Sequence, residues 1–226
     1  MSSTFPDYMR EAAEEYLWML SKDYPQKTSL KLVGDKFALT RDLRQVLYRG
    51  IVPEGLAQER FEKIGQAKKG DLVLVDTYNV LFTINNYLLG RPLFLSNDGI
   101  LRDAGEMRGR IINKTQFSRS VSMMLEVLQM WTGITFIHYL DEPVSHSGRL
   151  SIELCKDMAE MGIEGDAFTV KSPDQMLIQE KSDAIATSDG GIIDRYEGRI
   201  IDLPRFLLQH YFQPDFPRII PVNLPE

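Results

Sequence analysis

Hydrophobic positions in the first seventy residues recur at helical spacing. Tyr8, Ala12, Tyr16 and Leu20 fall every four residues behind Pro6, which suits a first helical turn, and Pro25 ends the run. Leu30, Val33 and Phe37 share a second helical face. Thr40 stands where an N-cap is needed for a third helix carrying Leu43, Val46 and Leu47, closed by Gly50 and Pro53. A fourth short helix runs from about Pro53 to Ile64, and the polar Ala-Lys-Lys-Gly-Asp stretch follows it. The pattern predicts a small all-α domain over residues 1–69.

From residue 70 the rhythm changes. Short runs of β-branched and aromatic residues predict strands at Leu72–Val75, Pro92–Leu95, Ile134–Leu140, Ala167–Val170, Ala184–Ala186 and Arg199–Leu203. Helical patterns at Val80–Leu89, Gln116–Thr132 and Arg149–Met161 fill the gaps. Strands separated by helices imply βαβ units, a mainly parallel sheet and helices on both faces. Residues 70–226 therefore read as an α/β domain. Met123, Met124, Val127 and Met130 form a stripe expected in its core.

Charge alters this picture. The net charge of −6 is divided unevenly, with +2 over residues 1–70 and −8 over residues 71–226. An acidic domain is a poor generic binder of nucleic acid, yet it suits a nuclease whose carboxylates gather around divalent cations. The single cysteine, Cys155, excludes an internal disulfide and a thiolate metal site. No apolar run reaches the roughly 18–20 residues of a membrane span, and the amino terminus lacks secretory features. A cytoplasmic protein is expected.

The acidic residues carry the candidate chemistry. In parallel α/β sheets, sites form outside the carboxyl ends of the strands. Asp76, Asp141 and Asp189 each end a predicted strand, and Asp174 opens a short helix. Any one of them could cap a helix. Four at one sheet edge repel one another unless cations neutralise them, and oxygen ligands alone suit Mg²⁺ or Mn²⁺. Ser145, Ser147 and Arg149 follow Asp141 at a helix start, where exposed N–H groups and a guanidinium would hold phosphate; Ser147 acting as a simple cap is the alternative. His138, inside a strand, is expected to be buried.

Two further segments have paired readings. Residues 27–49 have helix-turn-helix spacing with a local excess of positive charge, and Arg41 and Arg44 could contact nucleic acid. The other reading is a small bundle whose basic residues are a solvated face. Residues 96–115 are longer than a crossover requires. They read either as a flap over the site or as a surface loop turning at Asn97-Asp98-Gly99.

The segments LVDTYNV, FIHYLDE, SPDQMLI and IATSDGG together resemble the PIN/NYN group of metal-dependent nucleases. Asp76, Asn79, Asp141, Asp174, Thr187, Ser188 and Asp189 match the group's places in order, and the likeness covers roughly residues 71–194. Over its whole length, including SLKLVGDKF and LDEPVSHSGRL, the chain also resembles a prokaryotic family described only as a domain of unknown function joined to a PIN-like region. The resemblance implies a three-layer PIN-like domain behind a helix-turn-helix-like one. It implies Mg²⁺ or Mn²⁺ held by Asp76, Asp141, Asp174 and Asp189. It further implies phosphodiester hydrolysis with Asn79 and Ser188 assisting, Gly190 near the phosphate, and RNA as the favoured substrate. Asp174 departs from the pattern by following Ser-Pro. A homo-oligomer stays open, as do a non-catalytic nucleic-acid-binding or assembly scaffold and a small-phosphate hydrolase. An aspartyl-phosphate route is disfavoured because Tyr78 stands where a second Asp is needed, and no phosphate-binding P-loop is present.

Overall fold

The computed structural model describes residues 5–104, 114–144 and 146–220. Among them, four helices come first: α1 (Asp7–Ser21), α2 (Gln26–Lys36), α3 (Arg41–Gly50) and α4 (Glu54–Lys63). Then follow β1 (Leu72–Asp76), α5 (Thr77–Leu88), β2 (Leu93–Leu95), β3 (Leu101–Asp103), α6 (Lys114–Met130) and β4 (Thr135–Asp141). The chain continues with α7 (Ser147–Met161), β5 (Gly165–Val170), α8 (Pro173–Gln179), β6 (Ala184–Ala186), α9 (Gly190–Arg195), β7 (Arg199–Ile201) and α10 (Leu203–Phe212). No helix among the described residues is long and apolar enough to cross a membrane.

These elements form two units. The helical unit holds residues 5–62 together with 90–104 and 213–220. Its core gathers Met9, Ala12, Ala13, Tyr16 and Leu20 from α1 with Val33, Val46, Leu47 and Ile51, while Tyr8 faces solvent. Thr40 caps α3 as the sequence predicts, its hydroxyl accepting the Leu43 N–H at 3.4 Å. Phe94, Ala104 and Ile219 complete the same core from far along the chain.

Residues 90–104, read above with the α/β stretch, thus pack in the helical unit. The Pro92–Leu95 run is a strand, but it belongs to an antiparallel β2–β3 hairpin pairing Phe94 with Arg102. Residues 96–104 hold the predicted turn at Asn97-Asp98-Gly99, with the Gly99 N–H donating to the Ser96 carbonyl at 3.0 Å, but it closes a hairpin within the helical unit and is not an exposed flap or loop. Ser96, Asn97 and Asp98 are buried, and residues 105–113 of that segment lie outside the described residues. Asp98 accepts both terminal nitrogens of Arg102 at 2.9 and 2.7 Å and one nitrogen of Arg60 at 3.0 Å. Burial alone would raise its pKa; Arg102, Ser96 and Arg60 together hold it below the usual carboxylate range.

Arg44 has a similar structural task. Its guanidinium donates to Asp35 Oδ1 at 2.8 Å and to the carbonyls of Leu39 and Lys31, joining α3 to the end of α2. A Cβ at Gly34 would stand 2.2 Å from Arg44 Nη1, so a side chain there would push the guanidinium aside. Arg44→Ala should therefore destabilise the helical unit by about 2 kcal/mol, as expected for lost charge-assisted hydrogen bonds. Thermal denaturation checks this, and an unchanged melting curve would return Arg44 to the surface role.

The second unit holds residues 63–89, 114–144 and 146–212. Five strands form one sheet in the order β5-β4-β1-β6-β7, which is 3-2-1-4-5 when only its own strands are counted. Every ladder in it is parallel. Right-handed crossovers put α5, α6 and α7 on one face and α8 and α9 on the other, giving three layers. Helix α10 packs on α5 and α6, where the sequence pattern gave only a strand ending at Leu203. Met123, Met124 and Val127 are buried as expected, but Met130, at the end of α6, is 48% exposed. Gly165, at φ +146°, starts β5 where any Cβ would strike the Phe136 carbonyl, so no other residue fits that register.

Candidate functional site

The central strand β1 ends at Asp76, whose partner in register across β4 is Tyr139. On the other side Val75 pairs with Ala186, so Thr187-Ser188-Asp189 run on past β6 beside the end of β1. Asp141 closes β4, two residues beyond Asp76's partner. Asp174 lies in the first turn of α8, which packs against β1 and β4. Four βα junctions thereby bring their carboxylates to one edge of the sheet.

Asp76 is 8% exposed and does not cap α5. Its Oδ2 accepts the Thr187 hydroxyl at 2.8 Å. Its pKa is pushed up to about 7, first by burial and then by the charges of Asp189, Asp174 and Asp141, with the Thr187 bond opposing them. The Asp141 carboxyl is likewise raised, by burial and then by Asp174. Among the described residues no three His, Cys, Asp or Glu side chains lie close enough together to enclose an ion. The four aspartates share an electrostatic environment without touching.

A network of hydrogen bonds fixes the frame around them. Asn79 Oδ1 accepts both the N–H and the hydroxyl of Ser188, at 2.8 and 2.9 Å, tying the start of α5 to the end of β6. The Asp189 N–H donates to Thr187 Oγ1 at 3.1 Å. Asp189 Oδ1 caps α9 by accepting the Gly191 and Ile192 N–H groups at 2.7 and 3.3 Å. The helix-cap alternative thus holds for Asp189, and the Gly191 N–H is engaged inside the fold. Gly190 is the first residue of α9. Beneath the site, Thr77 Oγ1 donates to the Val75 carbonyl and lies 3.2 Å from His138 Nδ1. Burial lowers the His138 pKa to about 4, so this wholly buried ring is neutral at physiological pH.

Other sequence candidates stand apart from this frame. Ser145 lies outside the described residues. Ser147 does not cap α7; it is the first helical residue, and its hydroxyl donates to the Glu142 carbonyl at 3.3 Å. The N-cap is His146, in the left-handed region at φ 70°, with no side-chain cap bond. Arg149 Nε donates to Glu153 at 2.7 Å in an exposed pair along α7. Arg41 and Arg44 belong to the other unit. Asp183 accepts the Leu72 N–H at 2.9 Å and so pins the start of β1 without capping a helix. Two neighbours of the cluster have no task in the sequence analysis above: Thr187, present only as a match to the PIN/NYN pattern, and Tyr78, noted only as standing where a second Asp would be needed.

All the residues of this frame lie within one family match. Residues 66–206 match the model described as Domain of unknown function (DUF5616). The chain belongs to this family. Ahead of it, residues 8–63 match a second model, Protein of unknown function (DUF434), so the two matches meet at the end of α4. Among curated proteins, the Uncharacterized protein MJ0935 of Methanocaldococcus jannaschii is 27% identical over 187 residues, 82% of this chain and 88% of that protein. No solved structure matches. The DUF5616 stretch contains Asp76, Asn79, Asp141, Asp174, Ser188 and Asp189, together with Ser147 and Arg149.

Proposed function

We propose that the DUF5616 stretch is a nuclease of the PIN/NYN type, hydrolysing phosphodiester bonds with Mg²⁺ or Mn²⁺ and acting preferentially on RNA. One observation carries this reading. A buried aspartate at the end of the central strand has its ionised form opposed by three further aspartates from three other junctions. A fold gains nothing from such an arrangement unless a cation relieves it. The 3-2-1-4-5 parallel sheet and the PIN/NYN resemblance of the motifs at its carboxyl edge support the same conclusion.

The donor set fits the ion. Asp76, Asp141, Asp174 and Asp189 offer hard carboxylate oxygens, and the sole cysteine, Cys155, hydrogen-bonds to Asp166 and the Ala167 carbonyl on β5. When bound, a divalent ion lowers the pKa of water and offsets charge on a phosphate oxygen. The protein's own part is positioning. Thr187 fixes the Asp76 carboxylate, Asn79 fixes Ser188, and Asp189 is held by its cap with only Oδ1 engaged. In the helical unit, the exposed Lys27 and Lys31 would give a weak, salt-dependent hold on the same polyanion.

Purified protein with Mn²⁺ should cut single-stranded RNA and stop when a chelator is added. Absence of cleavage of both RNA and DNA, in protein shown by calorimetry to bind Mn²⁺, would overturn the nuclease reading. Absence of Mn²⁺ binding would overturn the metal site itself.

A further inference from the structure

The outward side of α1 carries two aromatic rings that the helical core does not use. Met9, Ala12, Ala13, Tyr16 and Leu20 turn into that core, whereas Trp18 of the same helix is 58% exposed. Tyr24, 49% exposed, lies against it, with 6.5 Å between ring centroids and 29° between ring planes. A solitary exposed aromatic is ordinary. Two stacked on each other in water, neither filling a core, are not.

The turn after α1 builds the pair. Lys22 is the C-cap, the Asp23 N–H donates to the Leu20 carbonyl and the Tyr24 N–H to the Met19 carbonyl, each at 3.1 Å, the two bonds of a Schellman motif. Asp23 takes the left-handed position at φ 60°, and this reversal brings Tyr24 back alongside Trp18. Pro25 then fixes the exit into α2. The charge left free around the rings is mainly positive. Glu14 pairs with Arg10, Glu15 with Lys36 and Asp35 with Arg44, so these acids are neutralised within the unit. Lys22, Lys27 and Lys31 are exposed and make no ion pair among the described residues, and within residues 18–36 only Asp23 is left to oppose them. Flat aromatic faces beside cations suit unstacked bases and their phosphates.

We propose that Trp18 and Tyr24 form a stacking platform for the unpaired bases of single-stranded RNA, with Lys22, Lys27 and Lys31 contacting its phosphates. This rests on the nuclease reading above for the class of polymer and deepens it, but the platform itself needs no metal. A base continues the stack on the indole with Tyr24 behind it, so part of the affinity is not screened by salt. No bond is made or broken.

Indole fluorescence of the full chain in buffer containing a chelator tests it. Trp18 and Trp131 are the two tryptophans, so Trp131→Phe leaves Trp18 as the sole reporter. An oligoadenylate of about ten nucleotides should quench it saturably. Inorganic polyphosphate, a polyanion without bases, should not. Trp18→Ala should weaken oligoadenylate binding, followed by anisotropy of a labelled strand, by about tenfold, and Trp18→Phe should restore most of that loss. The salt slope should stay unchanged in Trp18→Ala and fall when Lys27→Ala and Lys31→Ala are combined. Equal affinity in Trp18→Ala would overturn the platform, as would a parent that binds no oligoadenylate or is quenched equally by polyphosphate. Emission that changes with protein concentration alone would assign the rings to a second copy of the chain and overturn it too. A protein that binds through Trp18 yet cuts nothing with Mn²⁺ loses the nuclease reading and keeps the platform. One that cuts RNA while Trp18→Ala binds as the parent does loses the platform alone.

Discussion

Asp189→Asn is expected to lower Mn²⁺-dependent cleavage of RNA by about a thousandfold while leaving the melting temperature nearly unchanged. The size follows from removing charge stabilisation at a reacting phosphate, which typically costs that order in rate. The unchanged stability follows from the cap. Asp189 Oδ1 accepts the Gly191 and Ile192 N–H groups, and an asparagine Oδ1 can accept both in the same geometry. The substitution therefore separates two roles that coincide in one side chain. Asp189→Ala, by contrast, should lose the cap as well and cost about 1 kcal/mol of stability. Steady-state cleavage assays beside thermal melts make the comparison. Full activity in Asp189→Asn would show that the residue is a cap and nothing more.

Asp76→Asn should stabilise the metal-free protein at pH 8, and the gain should disappear as the pH is lowered to about 4. The sign comes from linkage. The folded pKa of about 7 exceeds the ordinary carboxyl value of 3.8, so between those values the folded state holds a proton that the unfolded state has released. Stability contributed at low pH is lost as pH rises through this window, and above pH 7 the folded protein carries the whole burden of a buried, repelled carboxylate. That difference corresponds to roughly 4 kcal/mol, or a shift on the order of 10 °C in a protein of this size. Asparagine removes the charge and can still accept the Thr187 hydroxyl. Adding Mn²⁺ should reverse the ranking, because only the carboxylate gains from the ion. Parallel pH-dependent melts with and without Mn²⁺ would reveal the pattern; a variant less stable than the parent at every pH would refute it.

Local signals in the sequence were enough for the elements that frame the site. Ala184–Ala186 is a strand with the predicted bounds, and Thr40 caps α3 through its own hydroxyl, because both depend on a few consecutive residues. The convergence of Asp76, Asp141, Asp174 and Asp189 was legible because parallel strands deliver their ends to one edge, whatever the side chains in between. Long-range pairing was not legible. Asp98 is the turn residue its neighbours suggest, but its partner Arg60 stands 38 positions earlier, and nothing local marks a buried ion pair. β2 and β3, at three residues each, were too short for alternation to distinguish a hairpin from a crossover strand. Arg44 read as a surface cation because its partners, Asp35 and the Leu39 and Lys31 carbonyls, lie on another helix and its exit, where no local pattern points to them. Thr187 matters through its bond to Asp76 on the neighbouring strand, which no spacing along the chain encodes.

The helical unit draws on three separated stretches of chain, and this dictates when it can be finished. During synthesis α1 to α4 emerge first, but Phe94 and Ala104 of their core follow only after β1 and α5 have been made. Ile219 arrives after the whole five-stranded sheet has left the ribosome. Until then Arg60 waits for Asp98, and Arg49 waits for Asp103. A fragment cut at residue 69 would leave those guanidiniums without their carboxylates and the apolar core open on one side. The amino-terminal helices, although they match a family model of their own, thus depend on residues that follow α10.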